Sequence, residues 1–309
     1  MRLDHRALVL PLGVLATLAL LACSGLLPVG VALITVISLP AAHAHMRQGV
    51  MAGGGVVLLT AGTLVLVTGP QGALEYLALF GLLSFLLPLF LRRGMAWDHA
   101  AGFTTAILVV IGGLVLASLH FGAGVDVQQA VRSYVDIQMQ QTQALMQKGN
   151  ADAEKAVLIE NLIRQVGEFF QRTWPAVTSI GFAGLSLVTL FGLNLLGRGK
   201  YRLPGNPFHL WKLPEALIWV LIASGAGVVL GKGIVGTAAC NVLLVVLAAY
   251  FLQGLSILNH FFKKNGVPPV LRTLGYVLVV TLNPLPVIVT GMGVFDMWVD
   301  FRKPRKNKD

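Results

Sequence analysis

Four polar side chains in an otherwise apolar stretch are the residues best placed to do chemistry: Asn241, Gln253, Ser256 and His260. The last three follow at three- and four-residue steps, so a helix puts them on one face. Amide, hydroxyl and imidazole groups together can hold a small ligand. They also serve as interhelical hydrogen bonds, worth about 0.6 kcal/mol each in a membrane. Asn241, Gln253 and His260 are therefore the candidate ligand-binding residues.

Other chemistries lack their parts. His43-Ala44-His45 invites a metal, with His99 and His260 expected on the same side, but two histidines two residues apart point in different directions on a helix, and no carboxylate or thiolate joins them nearby. They read as solvated interface histidines, and no metal is expected. Glu75 and Glu215 fall in the first turns of expected helices, where an acid opposes the positive end of the helix dipole, and Pro214 suits a helix start. An ion-driven pump needs an acid deep in a span, and none is found. The chain has no phosphate-binding glycine loop, no HExxH and no GxSxG, so neither an enzyme nor a cofactor is expected. Cys23 and Cys240 fall inside apolar runs and suggest neither a disulfide framework nor a metal cluster. Leu20-Leu21-Ala22-Cys23 resembles the end of a lipoprotein signal, but apolar sequence resumes at Leu26, so this stretch is read as part of a first span.

The elements that must position these residues are membrane helices. Of 309 residues, 56% are hydrophobic and 12% charged, a balance outside the soluble range. Eight apolar runs are long enough to cross roughly 30 Å of hydrocarbon as helices. They are Leu8–Gly25, Leu26–Ala42, Val50–Thr68, Ala73–Leu91, Ala100–Leu119, Trp174–Leu196, Leu213–Leu230 and Ile234–Leu258. A ninth stretch, Val270–Val294, is interrupted by Asn283-Pro284-Leu285-Pro286 and reads as a re-entrant hairpin or a ninth span. The runs are continuously apolar, whereas barrel strands alternate. The expected fold is all-α, a polytopic membrane helix bundle of about eight spans plus that C-terminal segment.

The net charge of +10 encodes orientation. With the N-terminus in the cytosol, Arg47, Arg92, Arg93, Arg198, Lys200, Lys212, Lys263 and Lys264 all fall inside, as the positive-inside rule demands. The expected location is the bacterial inner membrane. The expected partners are the bilayer, an unidentified small-molecule ligand and a membrane or cytosolic protein; nucleic acid is not expected.

Three blocks follow: residues 1–119 with five closely spaced helices, an extracytoplasmic polar block 120–173, and a C-terminal membrane block 174–309 ending in a basic cytosolic tail. In the middle block Leu162, Ile163, Val166, Phe169 and Phe170 mark one apolar helix face, after a Gln-rich stretch. This predicts a helical hairpin with its turn near Gly149-Asn150, Asn150 or Asp152 capping the second helix. Ala223, Gly227 and Gly231 form a small-residue stripe suited to close helix packing.

The C-terminal third carries a resemblance. Phe208-His209-Leu210-Trp211-Lys212-Leu213-Pro214-Glu215, Gln253-Gly254-Leu255-Ser256, Asn259-His260-Phe261-Phe262, Gly266-Val267-Pro268 and Gly293-Val294-Phe295-Asp296-Met297-Trp298-Val299-Asp300-Phe301-Arg302 resemble the YybS-like family of uncharacterised bacterial membrane proteins. That resemblance implies a distant similarity to substrate-binding S components of energy-coupling-factor transporters and to the rod-shape protein MreD. Ala16, Ala19 and Ala22 are three apart rather than the four of an S-component docking helix. In the closing run Trp298 reads as an interfacial anchor, with Asp296, Asp300 and Arg302 pairing at the membrane boundary. Two functions follow as expectations: a small-molecule binding or transport-related subunit, and a non-catalytic scaffold anchoring partners through basic inner loops.

Overall fold

The computed structural model describes residues 8–26, 30–147, 153–197, 201 and 203–302. Among them every regular element is helical and none is a strand, as continuous apolar runs in a hydrocarbon solvent require. Packing divides the chain into two units, Met1–Val127 with Thr178–Gly205, and Gln128–Val177 with Asn206–Asp309.

The first unit contains α1 (Val9–Leu26), α2 (Gly30–Ile34), α3 (Leu39–Gln48), α4 (Val50–Tyr76), α5 (Leu82–Arg92), α6 (Trp97–Ala123) and the later part of α8 (Ala153–Gly197). A π-helical turn, Leu77–Gly81, joins α4 to α5. The stretch Val50–Arg92 has 43 residues, which drawn straight would be about 65 Å, twice the hydrocarbon thickness. It is not straight. Gly69 takes φ 83° and ψ 179°, a conformation that favours glycine, immediately before Pro70. A Cβ on Gly54 would stand 3.5 Å from Phe85 Cε2, and one on Gly81 would stand 3.2 Å from Val57 Cγ1. Pairing 54 with 85 and 57 with 81 centres on Gly69, so the two arms run antiparallel. Leu83, Leu87 and Leu91 of the second arm pack with Ala100, Ala101, Leu108, Phe182, Leu190 and Leu193 in one core.

The expected second span, Leu26–Ala42, is not one helix. α2 stops at Ile34 and α3 starts afresh at Leu39, with Pro40 in its first turn. Proline there supplies no N–H to continue a preceding helix but suits a new one. Ser38 Oγ, at the break, lies 2.6 Å from Thr189 Oγ1.

The second unit opens with a hairpin of α7 (Val127–Gln147), from Gln128 onward, and the first part of α8. Gln171 Nε2 donates to Asp136 Oδ1 at 3.3 Å, and a Cβ on Gly167 would collide with Met139 Sδ. The hairpin's turn at Gly149-Asn150, and the caps Asn150 and Asp152, lie outside the described residues. The expected boundary between this hairpin and a separate span at Trp174 is absent, because α8 continues through Pro175 to Gly197. After a 3₁₀ turn at Phe208–Leu210 come α9 (Leu217–Leu230), α10 (Gly233–Lys264), α11 (Pro269–Thr281) and α12 (Leu285–Val299). α9 and α10 pair closely where a Cβ on Gly227 would be 2.8 Å from that of Ala239. α10 and α12 meet backbone to backbone: a Cβ on Gly254 would collide with Val289 O, and one on Gly293 with Tyr250 O.

Among the described residues four helical stretches are long and apolar enough to cross a bilayer: Val50–Arg92, Trp97–Ala123, Asn161–Gly197 and Gly233–Lys264. A fifth is added if α11 and α12, bent by 102° at Asn283-Pro284, count as one. The expected eight is not reached on this criterion. Two expected spans are arms of one stretch, Leu26–Ala42 is divided, and Val9–Gly25 and Leu217–Leu230 are shorter.

Candidate functional site

Local sequence explains how the end of α10 becomes a polar site. Leu213-Pro214 precedes α9, and the extended backbone before it leaves main-chain groups without helical partners. Side chains from α10 take them. Gln253 Oε1 accepts from Leu213 N at 2.9 Å, and Ser256 Oγ donates to Trp211 O at 3.0 Å. Gln253 Nε2 then donates to Asp296 Oδ2 at 3.1 Å, and Arg302 Nη1 to Trp211 O at 2.7 Å. Asp296 Oδ2 also lies 3.2 Å from Arg302 Nη2, and Lys212 Nζ 2.8 Å from Asp300 Oδ1. One network thus ties the segment before α9, the middle of α10 and the end of α12.

Above this network lies a cleft of about 460 Å³ lined by His209, His260, Lys263, Lys264 and Arg302. The two imidazoles stack, with centroids 6.4 Å apart and planes 24° from parallel. Lys263 Nζ donates to His209 Nδ1 at 3.1 Å, so that nitrogen accepts and His209 is neutral there. Burial, then Lys263, His260 and Arg302, hold the His209 pKa below its ordinary value. His260 Nδ1 is buried without a hydrogen-bond partner. Among the described residues no carboxylate lines the cleft, so it can hold an anion.

Both ends of the α11–α12 pair stand at this end of α10. Pro269 follows Lys264 after four residues, and Arg302 lines the same cleft as Lys263 and Lys264.

The three expected ligand residues are not one site. Asn241 and His260 are 19 residues apart on α10, about 28 Å. Asn241 instead closes a gap in α8. Its Oδ1 accepts from Ala176 N at 2.9 Å, and its Nδ2 donates to Arg172 O and Thr237 O, each at 2.9 Å. In an uninterrupted helix Ala176 N would bond Arg172 O, and Pro175 disturbs that turn. Gln253 is committed to Leu213 and Asp296. Only His260 lines the cleft.

The remaining boundary residues fall as follows. Glu215 is exposed, and its carbonyl accepts from Ile218 N as α9 begins. Gly227 faces Ala239, while Gly231 ends α9 in extended backbone. Trp298 is 61% exposed, in ring contact with Phe295. Asp300 takes a left-handed conformation, φ 44°, and carries the Lys212 bridge.

The histidine pair departs from expectation. His45 is not solvated: it is 0% exposed, both ring nitrogens lack hydrogen-bond partners, and it packs on Phe85 and against Gly53. α3 turns it inward because Ala41, Ala42 and Ala44 leave room beside it. His43 Nδ1 sits 3.0 Å from Tyr201 Oη. Among the described residues no group of three or more histidines, cysteines or acids could hold a metal.

Sequence reasoning missed His209, Lys263 and Lys264 as one site. The available signal was the short α9–α10 hairpin, which returns Gln253 and Ser256 to the level of Leu213 and Trp211 and carries Lys263 on to His209.

No curated protein and no solved structure matches the chain. The match to a family of membrane proteins runs over residues 14–297, and the chain belongs to that family, described as Predicted membrane protein (DUF2232).

Proposed function

We propose that the protein is a non-catalytic inner-membrane subunit that binds a small anionic solute in the cleft at the end of α10. The observation that carries this reading is the convergence of Lys263, Lys264, Arg302, His209 and His260 on one cleft that no acid among the described residues lines. The two lysines supply the free positive charge, while the Arg302 guanidinium at the cleft wall is held by Trp211 O and Asp296. The positive-inside rule puts the cleft on the cytosolic side and the N-terminus with it. A re-entrant α11–α12 pair keeps the basic tail on that side as well. The expected YybS-like and S-component resemblance fits a binding or transport-related subunit.

The test is equilibrium binding of inorganic phosphate and of citrate to the protein in phosphatidylcholine nanodiscs. Saturable binding that weakens about tenfold in Lys263→Ala and Lys264→Ala is expected, a single charge-assisted contact each. Adding phosphatidylglycerol shows whether a lipid headgroup competes for the cleft. No binding of either anion, with no effect of phosphatidylglycerol on stability, would leave the MreD-like alternative, in which the same cations grip an acidic partner.

A further inference from the structure

We propose a second binding site in the first unit, for an alkyl ammonium: an apolar chain ending in a protonated amine. A cavity of about 690 Å³ lies between α1 and the tip of the Val50–Arg92 hairpin, within the size range of small-molecule sites. Its walls are mostly apolar, with Leu18, Leu21, Leu64 and Phe80 among them, and Glu75 is the one charged residue lining it among the described residues.

A lone acid against apolar walls calls for an explanation: Glu75 is exposed near the Gly69-Pro70 tip, at the edge of the cavity. The sequence suggests helix capping. The geometry removes that: the arm restarts after Gly69, so Glu75 is its sixth residue, beyond the first turn over which the dipole acts. Nor is an ion pair its purpose, since Oε1 accepts from Gln71 Nε2 at 3.1 Å and Oε2 has no partner among the described residues. Thr63 and Thr68, also at the cavity, donate their hydroxyl protons to Leu59 O and Leu64 O of their own helix. Glu75 is thus left an acceptor at the polar edge of an apolar pocket. An ammonium satisfies it, and a hydrocarbon chain fills the space beside Leu18 and Leu64. A neutral alcohol of the same length lacks the charge, and a fatty acid is repelled.

Two sources offer that chemistry: an ethanolamine lipid from the bilayer and a free amphiphilic amine. Native mass spectrometry of the purified full chain, released from detergent with dodecylamine, dodecanol or dodecanoate, counts bound molecules directly. Dodecylamine is expected to bind, with affinity reduced about tenfold or more in Glu75→Gln and lost in Ala22→Phe, which fills the cavity. Phosphatidylethanolamine that displaces dodecylamine identifies the lipid as occupant; a lack of displacement assigns the site to free amines. Melting temperatures of both variants check that they fold. Equal dodecylamine binding by the native chain and a folded Glu75→Gln variant, or equal binding of dodecanol and dodecylamine, overturns the proposal. Either outcome leaves the anion cleft untouched.

Discussion

Asp296 and Arg302 form a buried ion pair, Oδ2 to Nη2 at 3.2 Å, with side chains 0% and 6% exposed. Gln253 completes the carboxylate, Trp211 O accepts from the guanidinium, and Phe301 N donates to Asp296 Oδ1 at 3.2 Å. Removing one partner leaves a buried charge uncompensated, at a cost of about 3–5 kcal/mol. Asp296→Leu is therefore expected to lower the melting temperature sharply in detergent, and the double variant Asp296→Leu/Arg302→Leu to recover part of the loss. A double variant no more stable than Asp296→Leu would show that the pair does not act as a unit.

The Asn241 amide is expected to matter because of Pro175. Asn241→Leu strands Arg172 O and Ala176 N, a loss of about 1–3 kcal/mol. In a Pro175→Ala background the helix can close its own turn. The same substitution should then cost markedly less, which a double-mutant cycle of unfolding free energies measures.

At the α10–α12 crossing the nearest obstacle to a Cβ is main chain. Gly254→Ala and Gly293→Ala each push a methyl into a main-chain carbonyl, with an expected destabilisation of about 1–3 kcal/mol or more. Gly291→Ala, on the same helix as Gly293, meets nothing within 4 Å and should be near neutral in the same melting assay.

Burial, and then Arg92, push the His45 pKa down from 6.5 to about 4. Phe85 and Gly53 face the ring with no charge, and Arg92 Nη1 donates to the His45 carbonyl at 3.2 Å. The folded state therefore resists a proton that the unfolded chain takes up near 6.5. This contribution is fully present above about pH 6.5 and is lost as pH falls toward 4, to a total of about 3 kcal/mol. His45→Phe should flatten the fall in melting temperature across that window. An unchanged pH profile would place the ring in contact with water.

The sequence by itself determined that the chain is helical and lies in a membrane, because length and continuity of apolar runs are local properties that hydrocarbon reads directly. It also located the breaks between Thr68 and Ala73, where Gly69-Pro70 fall, and at Asn283-Pro284, since glycine and proline act on their own backbone. Which polar residue serves which purpose was decided only by the tertiary structure. Asn241 and His260 look alike as polar groups on one helix, yet one mends α8 at Pro175 and the other lines a cationic cleft. His45 looks like an interface histidine until α3 turns it toward Gly53. Such partners come from segments far apart in the chain, and a hydrogen bond or buried charge takes its meaning from the neighbour that packing supplies.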